Sequence, residues 1–244
     1  MLYYVDTFRI SLYGAVCYHT SHKRAIVLYY MELIFVIVIL IMSVVIHELA
    51  HGYAAYAQGD PTAAMQGRLT LNPIHHLDLL GSIIVPGLLL LLPTSFIIGW
   101  AKPVPFNPYN LRNQRWGHIW VVAAGPLSNI GLAAMFALGI RFISGLPEQA
   151  LALAGYVVLI NLVLALFNLI PIPPLDGSQI LFGLLPERFQ HWRHVFEGYG
   201  FILVFLVVFL FLGAFSRMVI EVFHLVIGPQ LSYVLALIQN VMGG

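Results

Sequence analysis

The chain has 244 residues, of which 60% are hydrophobic and 9% charged, and its formal net charge is +1. An ordinary soluble domain is about one-quarter charged, so this composition excludes that class and points to an all-α polytopic membrane protein; the near-neutral balance speaks against a nucleic-acid partner. A single cysteine, Cys17, excludes intrachain disulfides and any cysteine-rich metal site.

Residues 1–30 scatter Arg9, His19, His22, Lys23 and Arg24 among aromatics, with no sustained apolar run and no signal-peptide cleavage pattern. Met31 opens directly onto a strong apolar run. Residues 1–30 are therefore read as an extension ahead of a natural start at Met31. Residues 31–185 are read as the membrane core, and 186–244 as C-terminal membrane and interfacial helices.

The first membrane helix is expected from Glu32 to about Ala57, stopped by Gly59-Asp60-Pro61. Residues 62–73 are short, mixed and bounded by turn residues, and predict one or two short strands near the membrane surface. Leu79 to Ile98 is apolar but broken by Gly81, Pro86, Gly87 and Pro93. With the proline-stiffened segment from Trp100 behind it, that stretch reads as a re-entrant element. Long apolar helices follow over Trp116–Ile143 and Ala150–Ile170. A short helix to Leu185 leads into a polar loop carrying Arg188, His191, Arg193 and His194. Gly198–Gly213 is strongly apolar, and Val219–Met242 forms a final amphipathic segment. The expected fold is a bundle of about five to six membrane helices or re-entrant elements, with a short β element after the first core helix.

Within the first apolar helix lies His47-Glu48-Leu49-Ala50-His51. Histidines four apart share one helix face, so both imidazoles can reach one Zn²⁺ while Glu48 stands beside it as a base. A catalytic zinc uses three protein ligands plus water, so one donor is missing. Carboxylates inside a bilayer are costly unless paired or metal-bound, which shortens the search. After the first helix the acidic residues are Asp60, Asp78, Glu148, Asp176, Glu187, Glu197 and Glu221. Only Asp176 ends an apolar helix in a proline-rich break, so it is the preferred third ligand.

The ordered set His47–His51, Gly125-Pro126 with Asn129, and Asn168 with Pro171, Pro173, Leu175, Asp176 and Gly177 resembles the site-2 protease family of intramembrane zinc metalloproteases. The likeness runs from about Glu32 to Leu185, and is to a compact type without PDZ or CBS modules. It implies one Zn²⁺ per chain on His47, His51 and Asp176, with Glu48 taking a proton from the attacking water. It also implies a substrate that is the transmembrane segment of another protein, such as an anti-sigma factor, a pro-sigma factor or a remnant signal peptide. Asn129 and Asn168 are neutral hydrogen-bonding groups in apolar helices. They suit substrate binding or oxyanion stabilisation, or simply join helices. His75-His76 reads as solvated at the interface rather than as a second metal site.

If His51 and Asp176 share a metal near the C-terminal ends of their helices, those helices run parallel with one crossing between them. Arg68, Lys102, Arg112, Arg115, Arg188 and Arg193 then lie on the active-site side, and Arg141 and Arg217 on the other. Leaving out residues 1–30, six against two puts the active-site mouth in the cytoplasm, in a prokaryotic cell membrane. Counting Arg9, Lys23 and Arg24 narrows this to six against five. A zinc transporter or metal sensor is the alternative function, but it has no use for a carboxylate between the histidines. A catalytically dead chaperone or receptor would not keep all four chemical residues.

Overall fold

A computed structural model describes residues 31, 33–91, 99–186 and 189–242. The expected boundary at residue 30 lies outside the described residues. Among the described residues four helices are long and apolar enough to cross a membrane: Leu33–Ala57 (α1), Gln114–Phe142 (α4), Glu148–Asn168 (α5), and Phe209–Gln230, which takes in the second half of α7 (Gln190–Ile227). Between and after them come the short helices Thr62–Met65 (α2), Val85–Leu91 (α3), Asp176–Leu184 (α6) and Leu231–Met242 (α8).

Helix α1 ends where the sequence expects it to. Gly59 adopts φ 103°, a conformation open mainly to glycine, and the Asp60 N–H bonds back to Ala55 O at 3.0 Å. The expected strands in residues 62–73 do not form, and among the described residues there is no strand. Instead, buried Asp60 accepts from the Thr62 N–H, and the chain turns once as α2 before Gly67, at φ 64°, breaks it. Residues 68–72 form neither helix nor strand, since they have no ladder partner. The expected polar loop around His191–His194 is helical too: α7 starts at Gln190 and runs unbroken for 38 residues.

Direction is set by contacts at the helix ends. The Arg112 N–H bonds Gln58 O, and the Gln58 amide bonds Gly117 O, so α4 starts where α1 stops and runs back antiparallel to it. Helix α5 then returns parallel to α1. Gly200 packs on the Pro173 backbone and Gly228 lies beside the Arg141 guanidinium, so α7 crosses the whole bundle again. Helix α8 folds back along the first half of α5: Tyr156 donates to Ile238 O, and Tyr233 to Glu148. The main core joins Ile39, Ala137, Ile140, Leu162, Phe223 and Val234 from α1, α4, α5, α7 and α8. Outside it, α1 and α7 expose Leu33, Ile34, Ile37, Ile202, Phe205 and Phe209, as a lipid-facing surface requires and an aqueous one would not tolerate.

The stretch beginning at Leu79 comes back to its origin. It runs as a π-helix over Leu79–Ile84 and then as α3. The Trp100 N–H bonds Gly81 O at 3.1 Å and Ser82 Oγ donates to Trp100 O at 2.8 Å. A Cβ on Gly81 would run into the Trp100 ring, so the residue there has to be glycine for the two ends to meet. The contacts bring Gly81 and Ser82 against Trp100; residues 92–98, which belong to the stretch read as re-entrant, lie outside the described residues.

Candidate active site

His47 and His51 stand one turn apart on α1, with ring centroids 4.7 Å apart and planes nearly perpendicular. Asp176 opens α6, immediately after the proline-rich turn that follows α5. His47 Nε2 lies 3.0 Å from Asp176 Oδ2 and 3.1 Å from His51 Nε2, and His51 Nε2 lies 3.4 Å from the same carboxylate oxygen. One ligand atom from each residue falls within 4.8 Å of the others. The three residues picked from sequence as metal ligands are thus brought together, although 129 positions separate His47 from Asp176.

The far nitrogen of each imidazole is also occupied. His47 Nδ1 lies 2.6 Å from Asn129 Oδ1, and His51 Nδ1 lies 2.8 Å from Val121 O. Both partners are acceptors, so both Nδ1 atoms carry the proton and both Nε2 atoms present a lone pair toward Asp176. Two imidazole lone pairs and a carboxylate oxygen converging on one buried point repel one another unless a cation sits between them. That donor set suits Zn²⁺, and the partners behind the imidazoles fix the rings as metal sites need.

Helix α4 admits this geometry through Gly125-Pro126. A Cβ on Gly125 would collide with the His51 ring and come within 2.6 Å of His47 Nε2, so only glycine lets the helix lie against both rings. Pro126 has no N–H to bond Val122 O and loosens the turn before it; the adjacent carbonyl, Val121 O, is the one that holds His51. Gly177 is required for a similar reason. A Cβ there would strike the Leu169 carbonyl, closing the turn that delivers Asp176.

Glu48, half-buried, accepts a hydrogen bond from the Val104 N–H at 2.9 Å. That N–H belongs to the extended segment after Trp100, which Arg68 grips through Lys102 O at 2.9 Å and Pro103 O at 3.2 Å. Gly52 makes room for the same segment, since a Cβ there would press on Leu69 and Val104. His76 is buried with Nε2 on Thr70 O, so it stands inside the loop rather than solvated at the interface.

Asn129 is fully buried behind His47, its amide engaged by His47, Asn161 Oδ1 at 2.8 Å and Ser43 O at 3.4 Å. Asn168 donates to Leu164 O within its own helix. Sequence reasoning missed Asn161 and Ser43, although an asparagine in the apolar run of α5 is itself a visible signal. It also missed Arg68 and the Val104 N–H, which nothing local distinguishes. Counting from the end of α1, His51 lies about 9 Å deep and His47 about 15 Å, by helical rise. Both histidines therefore lie in the C-terminal half of α1.

Comparison with known proteins agrees with this chemistry. Residues 146–213 match the model of peptidase family M50. The chain is 42% identical over 183 residues to a Bacillus subtilis protein named "Putative zinc metalloprotease YwhC", an alignment covering 72% of this chain and 80% of the relative. It is 30% identical over 195 residues to Rip2 of Mycolicibacterium smegmatis, which bears the same descriptive name, covering 78% of this chain and 73% of that one. No solved structure matches the chain.

Proposed function

Because the chain belongs to peptidase family M50, the site-2 proteases, we propose that His47, His51 and Asp176 hold its zinc and that Glu48 is its general base. The protein is an integral membrane zinc metalloprotease that hydrolyses peptide bonds of membrane proteins. The observation that carries the residue assignment is the convergence of two imidazole nitrogens and one carboxylate oxygen within 4.8 Å, with both opposite ring nitrogens already bonded.

Zinc held there supplies a Lewis acid that polarises a peptide carbonyl and brings the pKa of a water to about 7. Glu48 takes a proton from the attacking water and returns it to the departing amine. Its Oε2 is held by the Val104 N–H, which leaves Oε1 to move that proton. Asp176 and the two imidazoles stay unprotonated at the atoms that face the metal. A helical substrate keeps its carbonyls in its own hydrogen bonds, so it must unwind locally before attack. The substrate class is the membrane-spanning segment of another protein, in the manner of anti-sigma factors, pro-sigma factors or remnant signal peptides.

The site mouth faces the cytoplasm. Supporting this, Arg68, Lys102, Arg112 and Arg115 gather at the end where α1 stops and α4 starts, while Arg141 stands at the other. With Cys17 replaced by Ser, cysteines at exposed positions 112 and 141 should label from opposite sides of the membrane, position 112 from within. Labelling of position 112 from outside overturns the orientation.

The function is tested by comparing membrane proteomes of cells that carry the wild type and Glu48→Gln, together with the zinc content of both purified proteins. Uncut membrane fragments should accumulate with Glu48→Gln while zinc is retained, because losing a general base costs about 10²–10⁴-fold in rate. Identical proteomes would sink the mechanism. A zinc transporter would instead move zinc across liposomes and cut nothing.

A further inference from the structure

Behind the metal-facing side of His47 lies a chain of amides whose orientation can be read from one backbone carbonyl. Asn161, on α5, faces Val157 O at 2.9 Å, and a carbonyl can only accept, so the facing atom is Asn161 Nδ2. The same nitrogen gives its second hydrogen to Ser43 Oγ at 2.9 Å. Asn161 therefore turns Oδ1 toward α4, where it meets the Asn129 amide at 2.8 Å and obliges Asn129 to present Nδ2. Asn129 is left with Oδ1 toward His47, at 2.6 Å from Nδ1. An acceptor there places the proton on Nδ1 and leaves the Nε2 lone pair free.

Burial makes this sequence strict. Asn129 and Asn161 are 0% exposed and Ser43 3%, so no bulk water can substitute for a missing donor or acceptor. His51 has no such dependence, because Val121 O holds its Nδ1 directly. The two histidines of one motif are thus oriented by different means, one by main chain and one by a side-chain relay across three helices, in which Ser43 O, at 3.4 Å from Asn129 Nδ2 against 2.8 Å for Asn161 Oδ1, is the longer and weaker acceptor.

From this we infer that Asn161 is a positioning residue for the metal site: it orients Asn129, and through Asn129 it holds His47 in the ring state that binds zinc. The inference rests on the assignment of His47 as a ligand. It predicts that changing Asn161 alters zinc affinity, and that the change follows acceptor chemistry at residue 161 rather than helix packing.

The test measures the zinc Kd of the full-length protein in detergent by competition with a chromophoric chelator, alongside thermal stability of the zinc-free form. Asn161→Leu keeps the volume but presents no acceptor, and should weaken zinc by about 10–100-fold, the usual cost of losing a partner behind a metal ligand. Asn161→Asp, which burial keeps as the neutral acid, gives its proton to Val157 O, takes one from the Ser43 hydroxyl and still accepts from Asn129 Nδ2, so it should bind zinc within about threefold of wild type. Wild-type affinity in Asn161→Leu, with only thermal stability lowered, overturns the relay and makes Asn161 a packing residue. If the leucine variant does not fold, a hundredfold loss in Asn161→Asp overturns the relay equally well. A wild-type protein that binds no zinc overturns the ligand assignment itself, so the two failures are distinguishable.

Discussion

Glu48 Oε2 and the Val104 N–H meet at 2.9 Å across 56 positions of chain, tying the proposed base on α1 to the segment that follows Trp100. A carboxylate on a helix can sample several rotamers. This bond selects one, and it does so from a backbone that is itself held by the Arg68 guanidinium at Lys102 O and Pro103 O.

Removing that grip should slow cleavage without emptying the metal site. In Arg68→Ala the segment loses both side-chain bonds, and a small misplacement of a reacting group costs up to about 100-fold in rate. The expected outcome is a fall in kcat of tenfold or more on that scale, with zinc stoichiometry unchanged and a smaller loss in Arg68→Lys, whose ammonium can still donate. Loss of zinc in Arg68→Ala would show that the arginine supports the metal ligands rather than Glu48.

At the opposite side of the motif the limiting contact is steric. Gly125→Ala sets a methyl against the His51 ring, which cannot move without losing Val121 O. Zinc affinity should fall by about tenfold or more, on the scale of disrupting a ligand's supporting contact. Metal analysis of the purified variant checks this, with Gly131→Ala on the same helix as the control, because open space surrounds that glycine.

Asp60 gives a pH signature. Burial would by itself raise its pKa, but hydrogen bonds from Thr62, the Asn110 amide and the Asn107 N–H outweigh this and hold the carboxyl below its ordinary 3.8. A lowered pKa in the folded state means that its stabilisation is complete above the ordinary value and is lost as pH falls from there through the lowered one. Thermal unfolding in detergent between pH 6 and about 3 should therefore show a steeper acid loss in wild type than in Asp60→Asn. At neutral pH the variant should already be less stable by about 1–3 kcal/mol, the cost of disturbing a buried hydrogen-bonded group. Parallel pH profiles would contradict the assignment.

Stripping the metal should destabilise the whole bundle, because α1 and the turn between α5 and α6 meet at the site. A ligand present at about 1,000 times its Kd adds about 4 kcal/mol to folding. Chelation should lower Tm and abolish cleavage, and zinc should restore both; His51→Ala should show neither the drop nor the recovery.

Much of the site is legible before folding because its spacing is local. Two histidines four apart must share a helix face wherever the helix goes, and Asp176 is singled out by the cost of carboxylates in a bilayer. The strands expected in residues 62–73 illustrate the opposite case. Their composition allows extended chain, but a strand needs a partner; Asp60 turned the chain into α2, and residues 68–72 met no second strand.

From the sequence alone came the membrane class, the order of the apolar helices, and the residues proposed as the metal ligands and the base. These depend on composition and on periodicities set within a few residues of backbone. Tertiary structure alone decided the rest: that Val121 O and Asn129 stand behind the two imidazoles, that Asn161 meets Asn129, and that Val104 reaches Glu48. Those contacts join positions 32 to 82 apart, and their register depends on how the helices and the segment after Trp100 pack, which no local spacing encodes.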